Sequence, residues 1–287
     1  MDNQKIVISC DSTCDLSPEL LQKYDIKVMP LYVVMNDKTF KDGVDIQPDE
    51  IYKYRKETGR LPKTAAANMN DFYNFFKQYT DEGHSVIHIN ISSDMSITHN
   101  NARNAAEQLE NVYVVDSKNL STGSGLLVLK AAELRSEGHG AKEIYDHLNE
   151  LKQRVDASFI VDTLEYLHLG GRCSAVAMLG ANLLKLKPCI EVKNGVMGVG
   201  KKYRGNLKNV LLEYTQHRLA DANNIETDRI FITHSGIDQE IINAVEGKIR
   251  ELIDFKEILV TRAGCTISAH CGPNTLGVLF VRKSPVV

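Results

Sequence analysis

Seven consecutive residues, Ser92-Ser93-Asp94-Met95-Ser96-Ile97-Thr98, carry four hydroxyls directly after an apolar run from Val86 to Ile91. Beyond them, Ala102, Ala105, Ala106 and Leu109 fall at i, i+3, i+4 and i+7, the spacing of one face of an amphipathic helix, while the run before the serines reads as a buried strand. The hydroxyls therefore stand where a strand ends and a helix begins. Such a junction presents unpaired backbone N–H groups and the positive end of the helix dipole, which suits a carboxylate or a phosphate. The competing reading is that Ser96 only caps the helix.

Other polar groups stand at breaks in the pattern. Thr64 lies in a loop, Leu61 to Asn68, and offers a hydroxyl; Gly170-Gly171-Arg172 is a backbone-permissive loop that delivers a guanidinium. His270 precedes Gly272-Pro273 in what reads as an irregular loop, a better place for a ligand contact than a core, although a structural role has equal standing. Lys201-Lys202-Tyr203-Arg204-Gly205 is either a solvated surface turn or a contact for a phosphate or an acidic partner. An Asp-Ser or Asp-Thr pair follows an apolar run at Asp11-Ser12, Asp116-Ser117 and Asp162-Thr163, where caps and turns explain it without catalysis.

Composition narrows the classes. With 287 residues, 43% hydrophobic and 25% charged, the chain is long enough for two domains or one large one. A net charge of -3 supplies no electrostatic pull toward nucleic acid or an anionic membrane. The six cysteines form no Cys-x-x-Cys pair, so reduced thiols in the cytoplasm are expected and a metal site is not. The apolar stretch after Met1-Asp2-Asn3-Gln4-Lys5 is too short for a signal peptide, and no run approaches the roughly 18 apolar residues of a membrane span.

The elements that must position these groups alternate in the first half. Strands are expected at Ile6–Ser9, Lys27–Met35 with a hairpin return through Asn36-Asp37, Val86–Ile91 and Val112–Val115. Helices are expected from Ser17-Pro18-Glu19, over Pro48–Lys56, Asp71–Tyr79, Leu120–Arg135 and Ala141–Arg154. Phe72, Phe75, Phe76 and Tyr79 repeat at helical spacing, which reads as core. This alternation predicts a mostly parallel sheet with helices on both faces and a ligand beyond the carboxyl ends of its strands. After a boundary near residues 154 to 160 the pattern changes. A strand at Ala157–Val161, helical turns at Leu164–Leu169 and an apolar helix at Ala175–Leu184 lead to a hairpin, Pro188–Lys193 and Val196–Val199, joined by Asn194-Gly195. A helix from Leu207 to Leu219, a strand at Arg229–Thr233, a helix from Asp238 to Ile253 and strands at Glu257–Val260 and Thr275–Val281 complete it, with antiparallel pairing dominant. The fold class is thus α/β, with domains at 1–155 and 156–287.

Several segments together resemble the DegV family of bacterial fatty-acid-binding proteins. They are Asp11-Ser12-Thr13-Cys14-Asp15-Leu16, Asp42-Gly43-Val44-Asp45-Ile46, Pro62-Lys63-Thr64, the Ser92–Thr98 stretch and Val115-Asp116-Ser117-Lys118. Leu167-His168-Leu169-Gly170-Gly171-Arg172, Leu186-Lys187-Pro188, Lys202-Tyr203-Arg204-Gly205 and His270-Cys271-Gly272-Pro273 continue the series. No single segment is specific; the ordered set is. The resemblance implies two α/β domains with a long-chain fatty acid between them, its carboxylate held by Thr64, Ser93, Ser96 and His270 with the N–H groups of Ile97 and Thr98. It implies Arg172 and Arg204 near the opening, and a separate fatty acid kinase subunit, docking at Arg204 and Lys202, that makes the acyl phosphate from ATP. No cofactor, nucleic acid or stable membrane insertion is implied. Two departures stand out: the family usually has Thr-Ser-Gln-Pro where this chain has Thr64-Ala65-Ala66-Ala67, and glycine where it has Ile97.

Apolar walls for an acyl chain are available in Leu167, Leu169, Val176, Met178, Leu179, Leu183 and Leu184, which would serve a core equally well. At about 0.8 kcal/mol per buried CH₂, a tail supplies affinity and the polar end mainly fixes orientation. The competing class is an autonomous hydrolase or transferase using the Ser-rich turn and His270. The sequence contains no Gly-x-Ser-x-Gly elbow and no Walker-type loop to support it.

Overall fold

A computed structural model describes residues 5–173 and 186–286. The expected helix at 175–184, and with it the candidate wall residues Val176, Met178, Leu179, Leu183 and Leu184, lie outside the described residues.

Four strands, β1 (Ile6–Asp11), β2 (Ile26–Met29), β6 (Ser85–Asn90) and β7 (Val112–Asp116), form a parallel sheet in the order β2-β1-β6-β7. Every residue of β6 is buried, as a parallel strand covered on both faces requires. On one face α3 (Met69–Thr80) and α4 (Thr98–Ala106) pack Phe72, Phe76, Ala102 and Ala105 against Val86. On the other, α5 (Thr122–Ser136) and α6 (Ala141–Leu151) pack Leu127, Ile144 and Leu148 against Ile87 and Ile89. Phe72 and Phe76 surround His88 edge-on, so the aromatic helix is core.

From Val155 onward the strands belong to a second sheet, order β10-β9-β8-β13-β11-β12. Its members are β8 (Val155–Ile160), β9 (Leu186–Lys193), β10 (Val196–Arg204), β11 (Ile225–His234), β12 (Glu257–Arg262) and β13 (Leu276–Arg282). All neighbours are antiparallel except β11 and β12. Helices α8 (Leu207–Arg218) and α9 (Gln239–Leu252) cover one face through Leu211, Tyr214, Val245 and Ile249. The other face meets α5, which also covers the first sheet, so α5 is apolar around nearly its whole circumference.

A third sheet, antiparallel, joins β3 (Tyr32–Met35), β4 (Lys38–Lys41) and β5 (Lys63–Ala65) in the order β4-β3-β5. With α2 (Pro48–Thr58) it forms an excursion between β2 and α3. The excursion leans on α10 (Cys265–Cys271), which also touches α7 (Glu165–Gly170).

Four sequence expectations change here. The single strand Lys27–Met35 is two strands in two sheets, because Pro30, lacking an N–H, interrupts the ladder. The loop holding Thr64 contains β5, a three-residue strand that exists by pairing Thr64 with Val33. Lys201–Arg204 is the end of β10 rather than a turn, with Tyr203 buried between exposed Lys202 and Arg204. His270 lies in the last turn of α10, not in an irregular loop.

Candidate functional site

Beyond the carboxyl end of β6 the chain turns through Ser92–Ile97 into α4. The turn is held from below by Asp11, whose buried carboxylate accepts from the Ile91 N–H at 2.8 Å and from Asn90 Nδ2 at 3.2 Å. The N-cap of α4 is Ile97, which makes no side-chain cap bond, so Ser96 is not the cap; from one position earlier its Oγ accepts from the Thr98 N–H at 3.2 Å and pairs with Thr98 Oγ1 at 2.7 Å. Ser96 also lines a cavity.

That cavity has a volume of about 60 Å³ and brings together four of the anticipated residues: Thr64, Ser96, Arg172 and His270. The rest of its lining is mostly apolar: Leu31, Ala65, Ala66, Ile91, Met95, Leu120, Met197, Ile267 and Cys271, with Thr266. Strands β5 and β10, the serine turn that follows β6, and α10 all contribute. A smaller cavity of about 30 Å³ shares Leu120, Ile267 and Cys271 with it and continues to Phe159, Gly277 and Leu279.

Two of the polar lining residues form a pair. His270 Nε2 and Thr64 Oγ1 are 2.8 Å apart. Burial, reinforced by the Arg172 guanidinium, pushes the imidazole down to about 4, so the ring is neutral near pH 7. Its Nδ1 has no partner among the described residues. A buried orphan N–H is rarer than an orphan lone pair, so the favoured tautomer carries its proton on Nε2. The imidazole then donates to Thr64, whose own O–H is free to donate into the cavity. A catalytic nucleophile would need the opposite polarity, a base oriented by a third group at Nδ1. Arg172 Nη1 donates to the Gly170 carbonyl at 2.7 Å.

The helix carrying His270 is fixed from far away in the chain. Its N-cap, Gly264, has no side chain to offer. Instead Asp42 accepts from the Cys265 N–H at 2.8 Å and the Thr266 N–H at 3.0 Å, and Asp15 accepts from the Gly264 N–H at 2.8 Å. Burial pushes the Asp15 carboxyl up to about 8, although Ser121 and the Gly264 N–H both bond to it.

The remaining anticipated residues stand elsewhere. Ser93 donates its hydroxyl to Asp116 at 2.6 Å and its N–H to the same group at 3.2 Å, and Lys118 Nζ sits 3.1 Å from Ser93 Oγ. Burial alone would raise the Asp116 carboxyl, but the bonds from Ser93 and Lys118 outweigh it and hold it below its ordinary value. Ser93 therefore serves Asp116 and is not part of the cavity lining. Thr98 is fully buried with its N–H committed to Ser96, and the Ile97 side chain is 61% exposed. Lys202 and Arg204 are exposed on β10 and do not line the cavity. The Asp-Ser and Asp-Thr pairs are turn and ion-pair devices: Asp11 accepts from the Thr13 N–H at 2.9 Å, and Asp162 pairs with Lys187 and accepts from Asn274 at 3.1 Å.

Sequence reasoning missed Leu31, Met95, Leu120, Met197, Thr266 and Ile267. Only Met197 carried a signal: it is the second strand residue after the Asn194-Gly195 turn and so alternates inward from exposed Val196.

Comparison with known proteins gives a consistent result. A family model described as "Uncharacterised protein, DegV family" matches residues 5–283. A DegV domain-containing protein of Clostridium acetobutylicum is 35% identical over 282 residues, covering 98% of this chain and 99% of its own. The solved structure of a fatty-acid-binding DegV family protein from Thermus thermophilus superimposes with a TM-score of 0.90 at 31% identity, over 97% of this chain and 100% of that one. A stearic-acid-binding protein from Eubacterium ventriosum does so with a TM-score of 0.84 at 28% identity, over 98% of both chains. Matched along nearly its whole length in sequence and in structure, the chain belongs to the DegV family.

Proposed function

We propose that this protein binds a long-chain fatty acid between an N-terminal unit, residues 1–155, and a C-terminal unit, residues 156–287. The carboxylate would meet Thr64, Ser96, His270 and Arg172, and the tail would pass Ile267, Leu120 and Cys271. One observation carries the reading: a cavity lined mostly by apolar side chains also holds Thr64, Ser96, Arg172 and His270, with Thr64 and His270 hydrogen-bonded at 2.8 Å. The Thr64 hydroxyl and the Arg172 guanidinium are a donor and a cation, the complement of a carboxylate. The fatty acid binding of the Thermus and Eubacterium relatives supports the same ligand class. Ala65 and Ala66 leave this wall less polar than the family's usual Ser and Gln, so fewer side chains hold the head group here.

The chain carries its ligand and does not transform it. A separate kinase subunit would transfer the γ-phosphoryl group of ATP to the carboxylate oxygen, releasing ADP, with exposed Lys202 and Arg204 as the docking contacts. The experiment is in two steps. Solvent extraction of the denatured protein followed by mass spectrometry should yield a fatty acid in near-stoichiometric amount; a blank, together with hydrolysis of a generic ester by the intact protein, would favour the enzyme class. Loaded protein mixed with ATP and a fatty acid kinase subunit should then give acyl phosphate, and Arg204→Ala should impair that step while leaving lipid affinity unchanged.

A further inference from the structure

Gly170 ends α7, and its Cα lies against the ring of His270. A Cβ at this position would fall 2.4 Å from His270 Nδ1, 3.3 Å from Cε1 and 3.4 Å from Cγ. The obstacle is a largely buried ring, not the tip of a flexible chain. Gly170 does not have a left-handed backbone, so what bars a side chain here is the imidazole alone. Its Nε2 makes the ring's one hydrogen bond among the described residues, to Thr64.

We infer that Gly170 is a positioning residue for the cavity: its missing side chain is the seat that holds the His270 imidazole in register with Thr64. To make room for a methyl group the ring must move by about 1 Å, and a 2.8 Å hydrogen bond displaced by that much is compressed or lost. Thr64 would then lose the partner that occupies its lone pair and aims its O–H into the cavity. That Nδ1 has no partner among the described residues fits the same arrangement, because the atom faces a Cα that offers no N–H or O–H donor.

The binding part of the test rests on the fatty acid reading above; the folding part does not. Wild type, Gly170→Ala, His270→Ala and the double variant are compared by calorimetric titration with palmitic acid and by thermal denaturation. Gly170→Ala is expected to weaken palmitate binding about tenfold or more and to lower the melting temperature. In the His270→Ala background the same substitution should change affinity by less than about twofold and leave the melting temperature alone, because the ring it collides with is gone. Equal effects in both backgrounds, or none in the wild type, would overturn the inference. If Gly170→Ala fails to fold, the double variant should fold, and failure of both would place the conflict somewhere other than the imidazole. If the wild type does not bind palmitate the ligand reading fails, while the melting temperatures of the four proteins still decide the role of Gly170.

Discussion

Ser92 Oγ donates to the Gly195 carbonyl at 2.8 Å, joining the serine turn to the tip of a hairpin 103 residues later. Gly195 has φ +88°, and a Cβ there would lie 2.6 Å from both Asp94 Oδ2 and Ser92 Oγ and 2.8 Å from Lys118 Cδ. The Asn194-Gly195 dipeptide thus does two jobs. It supplies the positive φ values of a tight hairpin, and a side chain at Gly195 would push against those of Ser92, Asp94 and Lys118. Met197, two residues on, reaches the cavity from this anchored tip.

Gly195→Ala should therefore destabilise the protein by about 1–3 kcal/mol, the range expected for a non-glycine residue in left-handed backbone, with the added collision acting in the same direction. Urea denaturation measures this directly. An unchanged midpoint would mean that the hairpin tip is not seated against Ser92 in solution.

Asp42→Ala removes the acceptor from two buried N–H groups at the start of α10. Hydrogen bonds to charged groups contribute roughly 1.5–3 kcal/mol each, with incomplete additivity, so a loss of about 2–4 kcal/mol is expected. The readout is the denaturation midpoint, with palmitate affinity falling in parallel because α10 carries His270. A loss below about 0.5 kcal/mol, the level of an ordinary surface change, would show that α10 is capped some other way.

Asp15 and His270 act on the pH dependence with opposite signs. The Asp15 carboxyl is raised in the folded state to about 8, so its contribution is complete below its ordinary value near 4 and is lost as pH rises toward 8. His270 is depressed to about 4, so its contribution is complete above its ordinary value near 6.5 and is lost as pH falls toward 4. Denaturation across pH 4 to 9 should show Asp15→Asn flattening the alkaline limb and His270→Ala flattening the acid one. An alkaline limb identical in wild type and Asp15→Asn would remove Asp15 as its source.

Thr64→Val keeps the shape of the side chain and deletes its hydroxyl. If that hydroxyl donates one net hydrogen bond to a carboxylate, affinity for stearic acid should fall by about 0.5–1.5 kcal/mol, roughly twofold to tenfold. Calorimetric titration is the check, and full affinity in the variant would take Thr64 out of the head-group site.

How much of this was legible in the sequence depends on the range of the interaction responsible. The strand-to-helix turn at Ser92–Thr98, the Ser17-Pro18 helix start and the Asn194-Gly195 hairpin were readable because neighbours in sequence determine them. The α10 helix was not. Its seven residues are capped by Asp42 and Asp15 rather than by Gly264, so no local start signal exists, and the nearby Gly272-Pro273 pointed to a loop. The short strand at Thr64 was hidden in the same way, since its partner β3 defines it. Family resemblance nominated Thr64 and His270 together for the carboxylate, whereas no spacing rule joins residues 206 positions apart. It also nominated Ser93, whose real partner, Asp116, is set by the adjacency of β6 and β7.

The long-range capping of α10 has a consequence for how the molecule is made. During synthesis Asp42 emerges early, and the N–H groups it is destined for arrive more than two hundred residues later, at Cys265 and Thr266. Until then the carboxylate has only Ser12 for company and must stay in water, so the excursion that carries it cannot close. Thr64, borne on the same excursion, waits with it. The pocket is therefore among the last things a ribosome's nascent chain completes, and a truncated product ending before Gly264 would leave the exit tunnel without Thr266, Ile267, His270 and Cys271 of its lining.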